Sequence, residues 1–300
     1  MQNNITDEKY HGLSDDAYNI SDGTIKEGEF TSDQKFKVLA IENDLTNSMQ
    51  AMAVAPVDSS GKVDTSKVVI AYAGTSDLND AIIDVTEVVL GLHSHGAQID
   101  TSEKFADKIK KEYPNSIIDY TGHSLGGYLA VHNAARNKSK ATVFNAPDAS
   151  NSLTKEQIED VQKNPGMIKN YRNPRDKIGN YGGDKLGIAI YVDSDVNPYL
   201  MPLNSLISIY HAIDSWVNFD KDGNLLDKNG KIARNVDLKE LDIDGDGKID
   251  FRLDRKNLEE EPLFSPTFTE KVNGGLEIKI NYESLKYLSN QLITAINDLE

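Results

Sequence analysis

The sequence predicts an α/β fold built on a mainly parallel sheet, followed by a small hairpin segment and a helix. Three observations predict it. Short apolar runs alternate with helical stretches through residues 36–192, a glycine-flanked serine stands at a strand-to-helix junction, and 300 residues hold one such domain of ordinary size plus an appendage.

Taken in order, residues 36–41 (FKVLAI), 51–56 (AMAVAP) and 67–72 (KVVIAY) are apolar runs of strand length. Residues 101–111 read as a helix, and 116–120 (SIIDY) as a short buried strand. The alanine-rich 125–136 (LGGYLAVHNAAR) reads as the next helix. Residues 141–145, 167–171 and 188–192 supply further strands. Such alternation implies right-handed crossovers between parallel strands. Beyond residue 218, acidic and glycine-rich turns dominate, among them 220–224 (DKDGN) and 242–250, and these suggest hairpins. The layout is therefore an α/β domain over 1–235, an acidic hairpin segment over 236–275 and an amphipathic helix within 276–300, with no repeat of solenoid length.

Composition excludes several classes. The chain has 32 Lys+Arg against 48 Asp+Glu, a net charge of −16, which argues against a nucleic-acid footprint. The same charge weakens adsorption to anionic membranes unless apolar surface or divalent cations compensate. Cysteine is absent, so neither a disulfide framework nor a thiolate metal site is available. The first 16 residues (MQNNITDEKYHGLSDD) have no basic n-region and no apolar h-region, so they do not read as a Sec signal peptide. No run reaches transmembrane length.

Residues 120–127 (YTGHSLGG) carry the chemistry. They fit G-x-S-x-G, a sharp turn that lifts a serine hydroxyl above the sheet. Its glycines are required because a Cβ would collide with neighbouring backbone, and the N–H after the serine, here that of Leu125, helps to hold an oxyanion. The prediction is serine ester hydrolysis with Ser124 as nucleophile; the plain alternative is a serine that caps a structural helix.

A nucleophile of this kind needs a base and an orienting acid, which follow it in the order acid, then histidine. His211 is the base by elimination. His11, His93 and His95 precede the serine, His123 is the variable elbow residue, and His132 lies about two helical turns along the following helix. Asp176, just after the strand at 167–171, is the first choice for the acid. Asp148 follows one strand too early, and Asp193 and Asp195 one strand too late; a plain turn residue after proline is the other reading of Asp176.

Four separated motifs resemble the class 3, fungal-lipase-like branch of the α/β-hydrolases, over about residues 36–217. Residues 71–76 (AYAGTS) resemble the F-R-G-[ST] strand end, and 77–90 the lid that follows it. GHSLGG matches the elbow, Asn173, Asp176 and Ile178 resemble N-x-x-D-x-V, and His211 falls where the last triad member is expected. One position departs: Ala73 stands where the family commonly has arginine, which bears on an ion pair and not on the chemistry. The resemblance implies an α/β-hydrolase fold, a Ser124–His211–Asp176 triad working through an acyl-enzyme, and oxyanion donors on the backbone of Thr75 and Leu125, with the Thr75 hydroxyl a third.

Between Leu78 and Leu92 the side chains Ile82, Ile83, Val85, Val88, Val89 and Leu90 are interrupted by Asp80, Asp84 and Glu87. With the family position, this segment reads as a lid over an acyl pocket, hence a long-chain lipid or phospholipid substrate met at an interface; a buried crossover helix is the alternative. An acyltransferase with the same triad, and a catalytically silent calcium-dependent binding module, are the competing functions.

Asp242, Asp244, Asp246 and Asp250 set carboxylates at loop positions 1, 3, 5 and 9, with Lys248 at 7 and glycine at 6. This donor set suits Ca²⁺ in a structural role. Leu253 at position 12 removes the EF-hand glutamate, so the loop resembles those that join β-strands. Finally, 282–300 carries Leu285, Leu288, Leu292, Ile296 and Leu299 on one helical stripe. With 278–283 (IKINYE) before it, the segment resembles the opening of the WXG/LXG-like modules of Gram-positive type VII secretion substrates. That resemblance implies secretion without a Sec signal and a small helical secretion partner or chaperone; docking on the hydrolase body is the alternative.

Overall fold

Seven strands lie side by side in chain order in the computed structural model: β1 (Phe36–Asp44), β2 (Met49–Pro56), β3 (Lys67–Tyr72), β4 (Ile117–His123), β5 (Ala141–Phe144), β6 (Ile168–Arg172) and β7 (Ala189–Tyr191). The residues described are 5–75, 94–176, 178–193, 210–213, 216, 218–236, 267–271 and 275–279. β1–β2 and β2–β3 pair antiparallel, and every later neighbour pairs parallel. The split follows connection length: short links permit antiparallel neighbours, whereas a parallel pair needs a crossover of a dozen residues or more. Helices α2 (Ser94–Glu112), α3 (Leu125–Asn137) and α4 (Lys155–Lys163) lie in those crossovers. The sheet is therefore mainly parallel, with its antiparallel pairs gathered at the β1 end.

Alternation along β3 sorts the core into two layers. Val68, Ile70 and Tyr72 pack with Phe105 and Ile109 of α2 and with Leu129 of α3. Val69 and Ala71 face the other way, toward Tyr10, Leu13, Phe144, Tyr171 and Trp216. The period of two is that of any strand, and burial on both faces is why this strand reads as an unbroken apolar run.

Two helices lie outside the elements read from the sequence. The first, α1 (Asp7–Asp16), is largely polar, but Thr6 caps it by accepting from Lys9 N, and Asp7 and Glu8 sit in its first turn, where the helix dipole favours acids. It buries Tyr10 and Leu13, and a 3-10 turn (Ala17–Ile20) continues it across the sheet. The second, α4, carries a capping box between Thr154 and Gln157, a local signal sufficient to locate it. The predicted helix at 101–111 starts earlier, at Ser94.

The chain divides into two compact units, Met1–Asp250 and Phe251–Glu300. In the second, β8 (Thr267–Lys271) and β9 (Gly275–Lys279) form an antiparallel hairpin. In the first, the 220–224 turn is closed by a bridge between Phe219 and Leu225, with Asp220 accepting from the N–H groups of Asp222 and Asn224. The lid segment 77–90, the acidic loop 242–250, the helix read over 282–300, and Asp195 lie outside the described residues.

Candidate active site

The serine turn is built by exclusion of side chains. β4 ends at His123, α3 begins at Leu125, and Ser124 between them has φ 57° and ψ −128°. A non-glycine residue with positive φ is strained and persists only where its surroundings enforce it. Here they do: a Cβ on Gly122 would strike the backbone of Gly126 and Gly127, and one on Gly126 the backbone of Tyr72 and Ala73. One on Gly127 would come within 2.7 Å of the Ala146 Cβ. Ser124 N also donates to Phe144 O at 3.1 Å, tying the turn to β5.

Two hydrogen bonds then converge on His211. Its Nε2 lies 2.8 Å from Ser124 Oγ, and its Nδ1 lies 2.8 Å from Asp176 Oδ2. All three residues are buried, at 2%, 2% and 0% exposure for Ser124, His211 and Asp176. A carboxylate can only accept, so it fixes the proton on Nδ1 and leaves the Nε2 lone pair toward the hydroxyl. The carboxylate is itself held: Oδ1 accepts from Ile178 N and Oδ2 from Gly179 N, both at 2.9 Å. Gly179 cannot carry a side chain there, because its Cβ would strike Asp176 Oδ2.

Among the described residues, the competitors are occupied elsewhere. Asp148 accepts from the N–H groups of Ser150 and Lys185, stapling a loop. Asp193 pairs with Arg175 at 2.5 Å and with Lys228 at 2.9 Å. His132 lies between Ser152 Oγ and Glu103 Oε1, and burial pushes its pKa down. Thr75 follows Gly74, which packs so closely that a Cβ on it would meet the Tyr18 hydroxyl, the His123 carbonyl and Ser124 Cβ. Leu125 is the first residue of α3, where free N–H groups and the helix dipole favour negative charge.

Three residues that no motif marks for a role, His11, Tyr18 and His123, meet beside the triad turn. Tyr18 OH lies 2.7 Å from His123 Nδ1, and His123 Nε2 lies 2.5 Å from His211 O. A carbonyl can only accept, so Nε2 carries the proton and the Tyr18 hydroxyl donates to Nδ1. Burial holds the His123 imidazole well below its ordinary pKa, and the neighbouring His211 adds to the effect. His11 Nε2 bonds Ile213 O at 3.0 Å, so a second imidazole grips the same turn. No local spacing announces these contacts, since they join residues about a hundred or more apart, or 88 in the case of His123 and His211. Among the described residues, no group of three or more His, Cys, Asp or Glu side chains converges as a metal would require, and no described helix is long and apolar enough to cross a membrane.

A family model described as Phospholipase-like, Tle-like phospholipase domain, matches residues 9–183, more than half of the chain. Among solved structures, the chain is similar to the Rhizomucor miehei lipase propeptide complex at 18% identity, over 61% of this chain and 66% of that one, with TM-score 0.41. It is similar to lipase II from Rhizopus niveus at 15% identity, over 60% and 75%, with TM-score 0.44. A mono- and diacylglycerol lipase from Aspergillus oryzae is similar at 17% identity, over 64% and 80%, with TM-score 0.46. No curated protein matches the chain.

Proposed function

Because the chain belongs to the Tle-like phospholipase domain family, we propose that it is a lipolytic ester hydrolase using Ser124, His211 and Asp176 through an acyl-enzyme, with long-chain phospholipid as the substrate class. The observation that carries this reading is the pair of 2.8 Å hydrogen bonds meeting on His211 beneath a serine in a strained turn.

Ser124 Oγ attacks the ester carbonyl as its proton passes to His211 Nε2, and Asp176 stabilises the imidazolium that forms. Charge collects on the carbonyl oxygen, which the N–H groups of Thr75 and Leu125 receive; loss of one such donor costs roughly 3 kcal/mol in the barrier. His211 returns the proton to the departing alcohol oxygen, leaving an acyl group on Ser124. Water then enters, gives a proton to His211, attacks the acyl carbon, and releases the acid with the Ser124 hydroxyl restored.

The test is fatty-acid release from phospholipid vesicles by the parent and by Ser124→Ala, with a fluorophosphonate probe reporting the reactive serine. Release and labelling that both vanish in Ser124→Ala support the reading. Release that persists in that variant overturns it.

The acidic loop enters the same proposal as a structural clasp. Asp242, Asp244, Asp246 and Asp250 with Lys248 form a hard-oxygen donor set suited to Ca²⁺. The chemical step asks for no metal, since nucleophile, base and acid are all present in the proposed triad. Secretion by a type VII-like route, with a small helical partner on 282–300, rests on that segment's sequence pattern.

A further inference from the structure

Asn145 closes β5 in the left-handed region, at φ 47°, and is fully buried. Asparagine tolerates this conformation better than most residues, but glycine would adopt it without strain. Its side chain therefore invites a reason. That side chain makes three bonds to backbone: Oδ1 accepts from Asn173 N at 2.9 Å, and Nδ2 donates to Tyr210 O at 2.8 Å and to His211 O at 3.0 Å. Both amide hydrogens are used, and reversing the amide would set NH₂ against N–H and oxygen against two carbonyls, so the network fixes its orientation.

The three partners are not an arbitrary set. Asn173 opens the turn that carries the acid, and its carbonyl accepts from Asp176 N at 3.0 Å. Tyr210 and His211 are the turn that carries the base. The Asn145 carbonyl also packs against Gly179, the residue whose N–H bonds Asp176 Oδ2. One side chain thus spans two turns that are 35 residues apart and must meet at 2.8 Å.

We propose that Asn145 is a positioning residue that sets the separation and alignment of Asp176 and His211. It touches no reacting atom, and it acts through the backbone of both partners. Without it, His211 keeps the His123 bond to its carbonyl but its backbone loses the Asn145 tie to the acid turn, so the imidazole is less well held on the line between Asp176 and Ser124.

The inference rests on the triad reading, so Ser124→Ala is run beside it. In Asn145→Gly the backbone is suited and all three bonds are lost. Expected is a fall in kcat of about 10- to 100-fold with KM little changed. Fluorophosphonate labelling of Ser124 should slow in proportion. The double variant Asn145→Gly/Asp176→Asn should be no slower than Asp176→Asn alone, because both act through one coupling.

Asn145→Asp, which suits the same backbone and retains the acceptor while losing both donors, should show the same pattern. A folded Asn145→Gly with parental kcat, or a double variant whose losses multiply, would overturn the proposal. Unfolding of both single variants would overturn it too, since that is how a purely structural staple behaves. Activity surviving in Ser124→Ala would instead sink the triad reading; a dead Ser124→Ala beside an unimpaired Asn145→Gly would sink this inference alone.

Discussion

His123 Nε2 lies 2.5 Å from the carbonyl oxygen of His211, so the residue beside the serine grips the backbone of the histidine that faces it. Their rings lie 4.8 Å apart, centroid to centroid. Burial disfavours a charge on His123. That matters for the chemistry proposed, because a second cation so close would oppose the imidazolium that forms on His211 during attack.

Ser124→Ala, His211→Ala and Asp176→Asn should each lower ester hydrolysis by several orders of magnitude while leaving the fold intact. Groups that act as a unit are not additive, so double variants should be little worse than singles. Rates on a phospholipid substrate, with circular dichroism as the folding control, check this. Near-parental turnover in a folded His211→Ala would refute the assignment.

Stability should fall on acidification below about pH 6.5, the ordinary histidine value. His123 and His132 are both held below that value by burial. The folded protein then binds fewer protons than the unfolded chain, the slope of unfolding free energy with pH is positive, and stability is lost as pH falls. Each such group contributes up to about 1.4 kcal/mol per pH unit within its window. Thermal unfolding from pH 7.5 to 5 measures it, and His123→Gln should flatten the dependence. A melting temperature level across that range would contradict the expectation.

Micellar or bilayer substrate should be hydrolysed faster than the same lipid below its critical micelle concentration. The motivation is the apolar 78–92 segment, whose exposure costs about 25 cal/mol per Å² in water and is offset at an interface. Equal rates on the two sides of that concentration would favour the crossover-helix reading.

Calcium should raise the melting temperature without changing the chemical step. An ion that binds only the folded state at a hundredfold excess over its Kd contributes about 2.7 kcal/mol. Calorimetry with calcium and with chelator, on the parent and on Asp244→Asn/Asp246→Asn, separates the outcomes. A shift in the parent that disappears in the variant supports the clasp; an equal shift in both puts the ion elsewhere, and none leaves an acidic turn.

What the sequence determined by itself is what local rules control. β3 is read over the same residues, 67–72, because a strand buried on both faces is a continuous apolar run. The serine turn is legible because its glycine spacing is local: Gly122 and Gly126, four residues apart, meet each other, whereas the approach of Gly126 to Tyr72 is supplied by the fold. Asp176 and His211 are chosen from their order along the chain, and a parallel sheet gathers the residues that follow its strands at the strands' carboxyl ends. Tertiary structure alone decided the rest. α1 is a polar helix that gains its place by burying Tyr10 and Leu13, and no periodic stripe marks it in advance. Tyr18, His123 and Asn145 reach the site through hydrogen bonds that include partners 105, 88 and 66 positions away. Such bonds leave no repeat in the sequence, because each depends on one distance in the folded chain and not on a period along it.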